Sequence, residues 1–103
     1  KDLDGGVALS ELLSNPTAYN GKTIKVKGQC VKVNNHILNL NWVHIQDGST
    51  NSSNEKNDLA ITTQDVIPIG ATVIFEGKII LNKDFGAGYR YDVLMEEAQL
   101  VHN

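Results

Sequence analysis

Among 103 residues there is one cysteine, Cys30. An internal disulfide and a multi-cysteine zinc site are therefore both excluded, and the fold has to be held by packing. Long apolar runs are missing too, and nothing approaches the roughly 18–20 unbroken apolar residues of a membrane-spanning helix. Positive charge is scarce: 9 Lys and Arg stand against 12 Asp and Glu, for a net charge of -3. The bulk attraction that makes non-specific duplex DNA binding easy is thus lacking. What is present is 41% hydrophobic residues, too many for a disordered polymer and enough for one small core in one domain. The net charge hides an asymmetry, since residues 1–46 carry five bases and three acids and residues 47–103 carry four and nine.

The chain starts at Lys1 and reaches Asp4-Gly5-Gly6 at once, which reads as the end of a linker in a domain excised from a longer protein. Leu9, Leu12 and Leu13 then fall at i, i+3 and i+4, the stripe of a short amphipathic helix. Asn15-Pro16 ends it and Asn20-Gly21 makes a second turn. We take residues 1–20 as linker and helix and 21–103 as the main domain. From Thr23 to Val33 the period changes to two, with Ile24, Val26, Gly28 and Cys30 alternating with polar residues, the mark of a strand with one wetter face. Trp42–Gln46, Leu59–Thr63, Thr72–Leu81 and Tyr89–Met95 are four further strands. Ser49–Asp58 is polar throughout and reads as a mobile loop. Gly28 and Gly77 lie inside strands, where a bulge or sharp bend is expected.

No segment shows a strand, helix, strand unit, so antiparallel connections are expected. Five bent strands avoid exposed edges by closing a small barrel. The fold class read from the sequence is all-β: a five-stranded antiparallel OB-fold barrel with a short N-terminal helix. An open meander and an SH3-like barrel fit the same strand count.

The runs Gly21–Val33, Trp42-Val43-His44-Ile45-Gln46-Asp47-Gly48, Asp58–Thr63 and Lys83-Asp84-Phe85-Gly86-Ala87-Gly88-Tyr89 resemble bacterial OB-fold domains of the nucleic-acid-binding, tRNA-anticodon-like type. The two longer motifs are most similar to those of extracytoplasmic or lipoprotein-type bacterial proteins. The resemblance spans residues 21–96. It implies a binding module, with single-stranded nucleic acid as the ligand class and a periplasmic or lipid-anchored location. Another OB relative, the haem chaperone of cytochrome c maturation, holds haem through a C-terminal His-Asp-Glu-Asn-Tyr-like motif. Here Glu96-Glu97-Ala98 stands in that place and His102 has no nearby tyrosine, so no haem and no other cofactor is expected.

In such barrels the ligand crosses strands two and three between two loops, here Asn34–Asn41 and Asn82–Gly88. Trp42, Phe85, Tyr89 and Tyr91 are candidate stacking platforms, and Lys32, Lys83 and Arg90 candidate phosphate partners. Asn34, Asn35 and His44 complete the candidate ligand-binding set. Lys22, Lys25, Lys27 and Lys32 form a local positive stripe, although lysines on an exposed strand face also guard against edge pairing. Gly86-Ala87-Gly88 opens a strand where a phosphate-binding motif would open a helix, so it reads as a tight turn. His36, His44 and Asp47 do not have metal-ligand spacing. Cys30 reads as a buried small hydrophobe, and no catalytic constellation is present. The second function class weighed is an envelope domain that binds a protein or an oligosaccharide and has no nucleic-acid role.

Overall fold

The computed structural model describes residues 6–86 and 90–101. The expected linker at Asp4-Gly5, the Ala87-Gly88 part of the glycine-rich turn, Tyr89 and His102 lie outside the described residues. Helix α1, Leu9–Ser14, buries Leu9 and Leu12 in the main core. It stops at Asn15 because the residue before a proline is pushed out of the helical region, and a single 3-10 turn, Pro16–Tyr19, follows.

Five strands make one sheet: β1 Thr23–Ile37, β2 Leu40–Thr50, β3 Lys56–Thr63, β4 Thr72–Asp84 and β5 Arg90–Leu100. They run further than hydrophobic alternation alone indicates, since ladder hydrogen bonds carry a strand through residues that have no apolar face. The expected Asn34–Asn41 loop is mostly strand, with the turn confined to Leu38-Asn39. The Ser49–Asp58 loop is likewise corrected to a tight hairpin. Asn51 Oδ1 accepts from the Ser53 and Glu55 amides at 2.8 and 3.0 Å, which reverses the chain in a few residues.

Pairing runs β1-β2-β3-β5-β4 and returns from β4 to β1. The all-antiparallel expectation is corrected here, because β3 pairs with β5 in parallel. The reason is parity. Direction alternates from neighbour to neighbour in an antiparallel sheet, and an odd number of strands cannot alternate all the way around a ring, so a five-strand ring must contain a parallel pair.

Inside the ring, Val26, Cys30, Val43, Ile45, Leu59, Ile61, Phe75, Ile79 and Met95 are all completely buried. The two strand-interior glycines mark the tightest approaches. Gly28 precedes Gln29, where β1 passes from β4 to β2 and pairs with both Thr72 and Gln46. A Cβ on Gly28 would lie 3.0 Å from the Gln46 carbonyl oxygen. Gly77 faces an extra residue in β5. Glu76 pairs with Gln99 but Lys78 with Glu96, and on the other side Ile61 pairs with Met95 but Thr63 with Ala98. Both neighbours step over the same bulge, and Glu97 within it has a left-handed φ of 54°. The bulge lets Met95 and Ala98, three apart, both face inward, so β5 reaches Leu100 where strict alternation ends it at Met95.

Candidate functional site: the outer face of β2, β3 and β5

Because Val43 and Ile45 point into the core, Trp42, His44 and Gln46 emerge on the other side of β2. The register sets Thr62, Ala60 and Asp58 of β3 opposite them, and Leu94 of β5 beside Ala60. An outer sheet face ordinarily meets water. Here Trp42, Ala60 and Leu94 are buried, and Ile37, Leu40, Phe85 and Tyr91 pack against them. The β1–β2 and β4–β5 hairpins thus fold over the face that their strands build.

Trp42 is the centre of this second cluster and is 2% exposed. Its Nε1–H donates to the Ile37 carbonyl at 2.8 Å. Tyr91 stacks on it at 5.5 Å between centroids, and Phe85 meets it edge-on at 5.0 Å, both preferred aromatic geometries. Trp42, Phe85 and Tyr91, three of the expected stacking platforms, therefore pack against one another.

A polar group borders the aromatics. His44 Nδ1 lies 2.7 Å from Asp58 Oδ1, Gln46 Nε2 donates to Asp58 Oδ2 at 2.8 Å, and the His44 ring tilts toward Tyr91. Partial burial works against ionisation of Asp58, but the hydrogen bonds from His44 and Gln46 and the charges of His44 and Lys32 outweigh it, leaving the carboxyl below its usual pKa. A group whose pKa falls on folding adds stability above its unfolded pKa and loses that contribution as pH drops through the folded value. Asp58→Asn is accordingly expected to be less stable than wild type at neutral pH, with the difference closing below about pH 4. Urea unfolding at several pH values checks this, and an unchanged difference at acid pH would count against the assignment.

Two of the three expected phosphate-binding cations stand by a carboxylate, and the third, Lys32, makes no ion pair among the described residues, its charge only helping to lower the Asp58 pKa. Lys83 Nζ is 3.6 Å from Glu96 Oε2 and 5.4 Å from the Phe85 ring centroid, and Arg90 Nη1 is 3.5 Å from Asp92 Oδ1. Asn34 and Asn35 are exposed on β1, with Asn34 opposite Trp42. Lys32, Asn34, Trp42, His44, Lys83 and Phe85 thus belong to one neighbourhood, and Tyr89 lies outside the described residues.

Beyond the aromatic cluster, a groove of about 690 Å³ is lined by residues of β3, by Gln64 and Asp65 just after it and by β5, with Leu40 at one side. Thr62, Thr63 and Ala98 are its buried residues, and every charged residue lining it is acidic: Asp65, Glu96 and Glu97. Its end is fixed by two hydrogen bonds, one buried and one partly buried. Thr63 Oγ1 donates to the Ala98 carbonyl at 2.7 Å, and Asn41 Nδ2 donates to the Asp65 carbonyl at 3.0 Å.

The candidate set omitted Asp58, Gln46 and the groove acids. Alternation along β2 indicates that residues 42, 44 and 46 share a face. Which β3 residues oppose them depends on hairpin register, and the β5 residues depend on a bulge that has no apolar signal. Among the described residues no group of three or more His, Cys, Asp or Glu could hold a metal ion. Cys30 is buried, with its thiol pKa raised by that burial. The chain matches no protein-family model and no curated protein.

Proposed function

We propose that this chain is an OB-type barrel acting as a non-catalytic binding module, and that its β2–β3–β5 face takes a polypeptide rather than single-stranded nucleic acid. The observation that carries this reading is a Trp42 that is 2% exposed and packed by Phe85 and Tyr91, with Lys83 and Arg90 each beside a carboxylate. Bases need free aromatic faces and a phosphate backbone needs unmatched cations; the interlocked rings and the acidic groove favour neither. An extended segment bearing Lys or Arg suits the charge of the groove, where Asp65 and Glu97 stand beside a Glu96 already held by Lys83. The OB assignment rests on the ring order with its single parallel pair and on the resemblance of the strand motifs. An extracytoplasmic location rests on that resemblance alone. An oligosaccharide reading would need an open Trp42, which the burial of its ring does not favour.

The test is a pair of titrations followed by backbone amide shifts at low salt, one with an oligolysine peptide and one with a single-stranded oligonucleotide. The peptide is expected to move Gln64, Asp65, Glu97 and Gln99, and Glu96→Gln with Glu97→Gln to weaken it about threefold or more. Oligonucleotide shifts centred on Trp42, His44 and Tyr91, with quenching of Trp42 emission, would instead establish the nucleic-acid reading.

A further inference from the structure

The lysine stripe lies on another part of the ring, away from the aromatic face. Ile24, Val26 and Gly28 point inward, so Lys25 and Lys27 point outward from β1, and Lys22 lies just before the strand. Across the β1–β4 ladder, Lys78 stands opposite Thr23 and Glu76 opposite Lys25. Lys22, Lys25, Lys27, Lys78 and Glu76 take part in no ion pair among the described residues. Among the described residues Lys25, Lys27 and Lys78 thus share a two-strand face with the single acid Glu76, in a protein whose net charge is -3.

That face continues into exposed aliphatic side chains. Outward positions along β1 run Lys25, Lys27, Gln29 and then Val31, which is 38% exposed at the bulge. The β3–β4 loop is laced to this end of β1: Gly70 N–H donates to the Cys30 carbonyl and Cys30 N–H to the Ala71 carbonyl, both at 2.8 Å, while Gln29 Nε2 donates to the Gly70 carbonyl at 3.1 Å. The same loop presents Val66 and Ile69, 73% and 67% exposed. Isolated exposed aliphatics are ordinary on a protein surface. Val31 and Ile69, brought together through the Cys30 and Gly70 hydrogen bonds beside lysines that make no ion pair among the described residues, form a different kind of surface.

We propose that this lysine and aliphatic face is a peripheral docking surface for an anionic lipid bilayer. Lysines attract anionic headgroups, and short aliphatic side chains enter the boundary between headgroups and acyl chains. Charge complementarity selects the occupant together with the position of the rings. Trp42, Phe85 and Tyr91 belong to the other face, Phe75 is in the core and the Tyr19 hydroxyl is tied to Glu11. No described aromatic is left free on this face for bases to stack on, whereas headgroups need none. The surface is independent of the groove proposed for a polypeptide. Among the described residues no helix is long and apolar enough to cross a membrane, and surface binding of this kind requires none.

Co-sedimentation of the full chain with vesicles of equal parts phosphatidylcholine and phosphatidylglycerol tests the proposal, with pure phosphatidylcholine vesicles as control. Binding is expected to the mixed vesicles only, falling as salt is raised. Lys25→Gln with Lys27→Gln is expected to lower the partition coefficient about fivefold per lysine. Val31→Ser with Ile69→Ser should lower it at unchanged charge, with thermal melts confirming that each variant is folded. No binding to the mixed vesicles overturns the proposal, as does binding indifferent to the lysine variants. It is equally overturned if the face proves to be a dimer contact abolished by Ile69→Ser, or if an oligonucleotide held by the same lysines displaces the vesicles.

Discussion

Trp42→Ala is expected to destabilise the protein by about 3–5 kcal/mol, as other large-to-small changes at buried tryptophans do. The ring is 2% exposed and packs with Ala60, Leu94, Phe85 and Tyr91. Removing it leaves a cavity, frees Phe85 and Tyr91 from their partner and strands the Ile37 carbonyl that Nε1 now satisfies at 2.8 Å. Such a loss is a large part of the roughly 5–15 kcal/mol that a domain of this kind commands. Trp42→Phe separates the contributions, since it retains most of the apolar contact and deletes the donor, for an expected cost of about 1–2 kcal/mol. Denaturant unfolding measures both. Because Trp42 is the single tryptophan, its emission reports directly on the cluster, and it should be blue-shifted and poorly quenched by iodide. A red-shifted, freely quenched emission together with a near-neutral Trp42→Ala would show that the residue is an open platform, and would reverse the proposed function with it.

Gly77→Ala should cost about 1–3 kcal/mol, the range for overpacking a filled core. The added Cβ would stand 2.5 Å from Met95 Cγ and 2.9 Å from the Glu96 carbonyl oxygen. Methionine is adaptable and can swing aside. The carbonyl cannot, because it belongs to the strand whose bulge at Glu97 both β3 and β4 already step over. The variant therefore has to move backbone beside the β5 bulge. Pairing it with Met95→Ala tests this division. If the side chain were the whole obstacle, the double variant would regain most of the Gly77→Ala loss, since neighbours couple in this way; if the carbonyl matters, most of the loss remains. Unchanged stability in Gly77→Ala would mean that the strands have room to separate.

Several elements were legible in the sequence because their signal is local. The Leu9, Leu12 and Leu13 stripe and the Asn15-Pro16 stop define α1 without reference to anything else. The alternation through Ile24, Val26 and Gly28 determines which face of β1 is buried, and so where Lys25 and Lys27 point. The apolar segments around Val43, Ile61, Ile79 and Met95 mark the remaining strands. Elements whose cause lies elsewhere in the chain were not legible. The Asn34–Ile37 end of β1 is polar and is a strand only because β2 pairs with it. Glu96 and Glu97 break the alternation of β5, yet the strand continues across a bulge that both of its neighbours accommodate. A tryptophan at a strand start is more often a plug of the barrel end than a stacking platform, but only tertiary packing shows Trp42 to be covered.

From the sequence alone came a single small domain without covalent staples, with one short helix, five strands and an outward stripe of lysines on the first. Each follows from composition and short-range periodicity. Tertiary structure decided the parallel β3–β5 pair, because direction around an odd ring is a property of closure and not of any segment. It also decided the functional face. Register set Asp58 beside His44, the two hairpins folded Phe85 and Tyr91 onto Trp42, and Lys83 and Arg90 were each brought beside a carboxylate. Those are meetings between residues far apart in the chain, and a one-residue change of register would have sent each of them to the opposite face.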